Sequence, residues 1–199
     1  MKKIVITGGL GYIGTELCKI YSGYSWNDKI IVIDNRFISE RVNQIRNWNM
    51  EFIQGDILDK DLINQHFKDA DIVHHLAGIT DVPRIKSQSN IEKDNKIRLV
   101  GEEGTQNILD VINDNCKIIF PSTHVIYEGI DKVEKEIKED AESKPILSYS
   151  TSKDINEKQL KKSGKNYVIL RLGSVYGYST DTTRIDIMPN LFSKISSQN

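Results

Sequence analysis

Tyr149 and Lys153 stand four residues apart in YSTSK (149–153). On a helix that spacing is about one turn, so both side chains share a face. A phenol ionises near pH 10, too high to take up a proton at neutral pH unaided. An ammonium beside it favours the phenolate, so the pair predicts an acid–base centre with Tyr149 shifted downward toward neutral pH. Taken alone, the pattern equally fits a core-edge aromatic beside an exposed lysine. A hydroxyl suited to holding a substrate oxygen comes earlier, at Thr123, just after the run KIIFPS (117–122). Its neighbour Ser122 carries the same group, and either hydroxyl could simply cap a turn.

A second group of residues suits an anion. TGGLGYIG (7–14) places glycines at 8, 11 and 14, between a β-branched run and an amphipathic stretch. Gly8 allows a tight turn, Gly11 lets backbone approach a pyrophosphate, and Gly14 permits a helix to pack closely on a strand. Phosphates would then rest on the amides at the helix N-terminus. Twenty residues past the last glycine, KIIVID (29–34) ends in Asp34. A carboxylate there accepts hydrogen bonds from the adenosine ribose hydroxyls and repels a 2′-phosphate, which favours NAD over NADP. Arg36, two residues on, weakens that preference because an arginine can pair with such a phosphate. The bland alternative for Asp34 is a turn cap after a strand.

These groups need a scaffold that brings them together. KKIVIT (2–7), KIIVID (29–34), MEFIQGD (50–56), DIVHHLA (71–77), KIIFPS (117–122) and NYVILRL (166–172) read as strands. Helix-length segments separate them, including a long helical stretch ending near Asn115 and the helix opened by YSTSK. Nearly continuous apolar strands alternating with helices predict an α/β fold, a Rossmann-type doubly wound parallel sheet covered on both faces. The stretch DKVEKEIKED (131–140) reads as a solvated loop.

Composition narrows the function classes. The 199 residues are 38% hydrophobic and 28% charged, with a net charge of −1, so no basic footprint marks a nucleic acid or anionic membrane as partner. No apolar run approaches the roughly 18–20 residues of a membrane helix, and the run in MKKIVITGG breaks too early for a signal peptide. Cys18 and Cys116 are isolated and read as buried thiols, which suits a cytoplasmic protein. His66, His74, His75 and His124 lack metal-ligand spacing, so no metal is expected. The adjacent pair should point to opposite faces of a strand as structural histidines.

Several motifs, in order, resemble the extended branch of the short-chain dehydrogenase/reductase superfamily, the NAD-dependent nucleotide-sugar epimerases and dehydratases. TGGLGYIG is similar to that branch's opening, and Gly55-Asp56 to its adenine-contacting acid. HLAG (75–78) resembles its cofactor-lining H-L-A-A segment, STHVIY (122–127) its S-S/T-x-x-V-Y, and YSTSK its active-site pair. LRLGSVYG (170–177) and RIDIMPN (184–190) resemble the L-R-x-x-N-V-Y-G and R-x-D-x-x-x-N segments. The departures are Ser174 for an asparagine, Gly101 in the N-x-x-G-T pattern, and Gly78 for alanine.

The resemblance implies NAD as cofactor, held by Gly8, Gly11, Tyr12, Ile13, Gly14, Asp34, Asn35, Asp56, Ile57, Leu76, Ala77 and Gly78, with Tyr149 and Lys153 at its nicotinamide end. It implies Thr123, Tyr149 and Lys153 as catalytic residues, and a nucleotide-sugar contacted by Thr123, His124, Ser174 and Asn190. Tyr127 and Tyr176 read as packing residues. The implied reaction is epimerisation through transient C4 oxidation and hydride return. The alternatives are a 4,6-dehydratase, a 4-keto-sugar reductase, or a non-catalytic NAD-binding sensor. Dehydratases of this kind typically place Asp-Glu directly after the active-site threonine, where this chain has His124 and Val125. In domain terms, residues 1–178 read as the NAD-binding unit and 179–199 as the start of a substrate-binding lobe that is largely missing. Apolar groups exposed by such a gap invite association, and a homodimer is the assembly to test.

Overall fold

The computed structural model describes residues 1–24, 27–80, 90–132, 135–180, 184 and 187–198. Six strands form one sheet in the order β3-β2-β1-β4-β5-β6. They are β1 (Lys3–Thr7), β2 (Lys29–Asp34), β3 (Glu51–Gln54), β4 (Ile72–His75), β5 (Lys117–Thr123) and β6 (Asn166–Leu172). Every pairing is parallel; Val5 of β1 lies opposite Ile31 on one side and Val73 on the other. This is the Rossmann order, with its topological switch point between β1 and β4, where ligands bind outside the carboxyl ends of the strands.

Alternation along the strands divides the core in two. Val5, Ile31, Ile33, Val73, Ile118 and Phe120 face one layer, with Phe67, Ile108 and Leu160. Ile4, Ile6 and Val32 face the other, with Cys18, Val42 and Ile45. The first layer comprises α3 (Lys60–Phe67), α5 (Gly104–Val111) and α6 (Ser148–Lys162). The second comprises α1 (Tyr12–Ser22) and α2 (Ser39–Asn47). Each fully buried large apolar side chain contributes about 1.5–3 kcal/mol. Cys18 and Cys116 are both buried thiols, one in each cluster, so the sheet separates them.

The histidines of β4 do point to opposite faces. His74 shares a 2.7 Å hydrogen bond with the Tyr21 hydroxyl of α1. His75 lies between the hydroxyls of Thr7 (3.1 Å) and Thr105 (3.0 Å). Burial lowers their pKa values to about 4 and about 3, so both are neutral at pH 7.

The helix-length segments after β2 and β3 are the helices α2 and α3; Asp59 caps α3 by accepting from the amides of Asp61 and Leu62 at 3.0 and 3.1 Å. The structure differs from the sequence reading in two places. The long helical stretch is α4 (Ile91–Arg98), a π-helical turn (Leu99–Glu103) and α5. The carbonyls of Gly101 and Glu102 in that turn accept 3.0 Å hydrogen bonds from Asn156 and Gln159 of α6. Tyr176 is 66% exposed and so is not a packing residue, because it follows β6 where the chain has left the sheet. Tyr127 is half-buried against Arg171, as a packing residue would be. The charged stretch at 131–140 is exposed at every described position. Among the described residues, no helix is long and apolar enough to cross a membrane.

Candidate active site

A cleft of about 1090 Å³ opens at the carboxyl ends of the strands. The glycine loop, the end of β2, the segment after β4, the end of β5, the start of α6 and the end of β6 all line it.

Its first half is built on the glycine loop. Gly8 has φ +66°, and a Cβ there would come within 2.8–2.9 Å of the Leu76–Ala77 backbone. A Cβ on Gly14 would lie 2.4 Å from the Gly8 carbonyl, so α1 starts this close to β1 only without one. Gly11, Tyr12 and Ile13 line the cleft beside them, and Leu76, Ala77 and Gly78 form the facing wall. Asp34 is buried at the end of β2, its carboxylate accepting from the Leu10 amide at 3.0 Å and from the Arg36 amide and Nε at 3.0 and 3.1 Å. It therefore caps the loop and lines the cleft at once. Asp56 accepts from the Asn35 amide at 3.0 Å and from the Leu58 backbone at 3.0 Å. Ile57 is buried beneath, and its carbonyl accepts from Asn107 at 3.1 Å.

The second half carries Thr123, Tyr149 and Lys153, which all line the same cleft. Tyr149 and Lys153 share one face of α6, with Lys153 Nζ 5.9 Å from the Tyr149 ring centroid. Lys153 Nζ donates to the Pro121 carbonyl at 2.9 Å and sits 4.3 Å over the Phe120 ring. Burial lowers its pKa to about 8. The downward shift expected for Tyr149 is not found. Burial of the phenol holds its pKa above the ordinary value, and the nearby Arg184 charge offsets that only in part. Desolvation outweighs attraction here because the Lys153 ammonium is directed at Pro121. Thr123 Oγ1 accepts from the Val125 amide at 3.3 Å, so this hydroxyl also caps the turn His124–Tyr127.

His124 and Ser174 are exposed on the cleft wall, and His124 Nδ1 lies 3.2 Å from the Leu172 carbonyl. Asn190 is placed differently. Its amide accepts from Gly177 N at 3.0 Å and donates to the Tyr12 hydroxyl at 3.1 Å and the Arg184 carbonyl at 3.0 Å. It ties α7 (Met188–Ser196) to the glycine-loop helix and to the segment that follows β6.

The sequence reading missed the groups that hold this second half. Glu157, buried on α6, accepts from Ser122 at 2.6 Å and from Arg171 at 2.6 and 2.9 Å. Burial pushes its pKa up, but the hydrogen bonds from Arg171 and Ser122 outweigh this and hold it below the usual range. One carboxylate thus joins α6 to β5 beside Thr123 and to β6 beside Leu172. Glu128 accepts from the amides of Ile146 and Leu147, each at 2.7 Å, and from the Ser150 hydroxyl, fixing the start of α6. Two signals pointed to them: a lone arginine within the apolar run NYVILRL, and a glutamate one turn beyond Lys153.

Among the described residues, five cationic side chains line the cleft (Arg36, Lys93, Lys96, Lys153, Arg184) against three acids (Asp34, Asp56, Glu128). That balance, with backbone that approaches closely at the glycines, fits a bound pyrophosphate.

Comparison with known proteins points the same way. The model of the NAD dependent epimerase/dehydratase family matches residues 4–199. A dTDP-D-glucose 4,6-dehydratase from Dictyostelium discoideum is 31% identical over 89% of this chain and 44% of its own length. The UDP-N-acetylglucosamine 4-epimerase from Methanobrevibacter ruminantium M1, solved with UDP-N-acetylmuramic acid, superposes with a TM-score of 0.80 at 26% identity. That match covers 100% of this chain and 64% of the epimerase. The Bordetella bronchiseptica enzyme WbmH, solved with NAD+, gives a TM-score of 0.78 at 27% identity, again over 100% and 64% of the two chains. The chain thus spans less than two thirds of each of these relatives.

Proposed function

The chain belongs to the NAD dependent epimerase/dehydratase family, and from that premise we propose that it binds NAD in the cleft and epimerises a nucleotide-sugar at C4 through a transient keto sugar. The observation that carries this reading is a single cleft lined by the glycine loop, Asp34, Thr123, Tyr149 and Lys153. When bound, NAD supplies reversible hydride exchange with a carbon that bears a hydroxyl. Gly11 on the cleft wall lets backbone approach its pyrophosphate, Gly8 and Gly14 keep the loop and first helix packed close behind it, and Asp34 and Asp56 line the adenosine end.

The chain's own residues handle the proton. Thr123 orients the sugar hydroxyl, and Tyr149 takes or returns its proton. The raised pKa keeps Tyr149 protonated at neutral pH, which suits donation to a keto oxygen. The opposite transfer needs its phenolate, which the Lys153 ammonium 5.9 Å from the ring would stabilise. UDP-sugars lead among candidate substrates because the Methanobrevibacter ruminantium relative is a UDP-N-acetylglucosamine 4-epimerase. The dehydratase reading, which the Dictyostelium discoideum relative would favour, is weaker because His124 and Val125 replace the acidic pair expected after Thr123.

The test is Tyr149→Phe, assayed by C4-epimer formation from a panel of UDP-, GDP- and dTDP-sugars with NAD. Turnover should fall by about 10²–10⁴-fold, the usual weight of a general acid–base group. NAD affinity, measured by titration, should stay within about threefold, or about 0.7 kcal/mol. Undiminished turnover in the variant would overturn the mechanism.

A further inference from the structure

We propose that Glu128 selects the sugar, accepting hydroxyls of an uncharged hexose in the Tyr149 half of the cleft and disfavouring sugars that carry a carboxylate. This rests on the proposed epimerase reading and names the class of sugar that its site accepts. Among the described residues, three acids line the cleft; Asp34 and Asp56 lie at the adenosine end and Glu128 at the other. Its place is set by the turn His124–Tyr127. Thr123 caps the start of that turn, and the Glu128 amide closes it on the Val125 carbonyl at 3.2 Å. One short turn therefore presents both the Thr123 hydroxyl and the Glu128 carboxylate to the cleft. Backbone hydrogen bonds between Lys144 and both Ile126 and Gly129, each 2.8 Å, brace it.

The two oxygens of this carboxylate are used unevenly. Oε1 takes three donors: the Ile146 and Leu147 amides at 2.7 Å and the hydroxyl of Ser150, the residue after Tyr149. Oε2 has no hydrogen-bond or ion-pair partner among the described residues and is not sealed from solvent. A neutral amide oxygen would serve the three Oε1 donors, so the tie to α6 does not account for the charge. Asp34, by contrast, is matched by Arg36. An unpaired carboxylate oxygen on a cleft wall accepts hydroxyls and repels a second carboxylate, so it discriminates by attraction and repulsion together. Arg184 is the opposing charge. It acts on Tyr149, but it also donates to the Thr80 carbonyl at 3.3 Å, on the segment after β4.

The experiment compares C4-epimer formation from UDP-glucose and UDP-glucuronic acid, with NAD, by the whole chain and its Glu128→Gln variant. The glutamine keeps an oxygen for the three donors and replaces Oε2 with an amide nitrogen that donates. In the unmodified chain kcat/KM should favour UDP-glucose by at least about tenfold. Glu128→Gln should move that ratio at least about tenfold toward UDP-glucuronic acid, since the lost acceptor weakens one sugar and the lost charge admits the other. The readout is a ratio on one preparation, so any loss of folded protein cancels. Equal use of the two sugars, or preference for the acid, overturns the proposal and gives control to Arg184. A ratio that moves by less than about tenfold in the variant overturns it as well. A chain that converts neither sugar overturns this proposal, and one inert toward the whole nucleotide-sugar panel overturns the proposed function too.

Discussion

At the glycine end of the cleft, backbone packs on backbone: Gly8 turns at φ +66°, and Gly14 brings the first helix to within 2.4 Å of the Gly8 carbonyl, measured from where a Cβ would stand. At the Tyr149 end, side chain is tied to side chain: Ser122, Glu157 and Arg171 link one helix to two strands, and Glu128 with Ser150 fixes the start of that helix. The buried face of α6 is correspondingly polar, with Ser150, Ser152, Asp154, Asn156 and Glu157 before Leu160. The first construction depends on what is missing at a few positions. The second depends on charges removed from water, each stabilised only by its partners.

Three measurements test that contrast. The largest effect should come from Arg171→Met, which leaves buried Glu157 with only the longer 3.4 Å contact to the half-exposed Lys161 as a cation. Breaking a buried pair costs about 3–5 kcal/mol, read as a fall in the urea midpoint. Adding Glu157→Leu should return most of that loss, since an apolar replacement of both partners is often neutral. A double variant as unstable as the single one would mean the pair is not the tie. Next, Gly14→Ala should cost about 1–3 kcal/mol through overpacking and weaken NAD binding by about tenfold or more. Arg171→Met should lower stability more than it lowers NAD affinity. If the two variants shift affinity equally, the ends are not built independently.

The smallest effect is in the acid response of β4, whose histidines face one layer each. Folded pKa values of about 4 and about 3 lie below the ordinary 6.5. Between those limits the unfolded chain binds more protons, so stability is full above 6.5 and declines as pH falls. From pH 7 to pH 6 the loss is about 0.7 kcal/mol per histidine. His75→Asn should remove one share of that slope in a pH series of urea melts. An unchanged slope would mean that His75 is not held neutral.

The same contrast explains what was legible in the sequence. Gly8, Gly11, Gly14 and Asp34 were readable because a turn and a close approach restrict residue type at fixed spacing. The six strands were readable from β-branched runs, and Tyr149 with Lys153 from helical spacing. Glu157 and Arg171 were not read as partners, because their pairing depends on β5 and β6 becoming neighbours. The protonation of Tyr149 was misread for a related reason. Spacing gave the direction of an ammonium but not its strongest partner, which proved to be the Pro121 carbonyl. The break at Leu99–Glu103 escaped because apolar periodicity reports a face, not the phase lost over one turn.

That π-helical turn has a consequence for how this protein tolerates change in length. A π turn holds one more residue than an α turn, and each residue of an α-helix advances the side chains by about 100°. Before it, Ile97 is buried; after it, Thr105 reaches His75 and Ile108 enters the core. Both halves face inward only because the turn absorbs an extra residue between them. Deleting one residue from 99 to 103 would remove that extra residue and leave a more regular helix with both halves still facing inward. A one-residue deletion there should therefore be better tolerated than one inside α4 or α5, which would rotate one half by about 100°, with the irregularity serving as the joint that keeps the two halves in step.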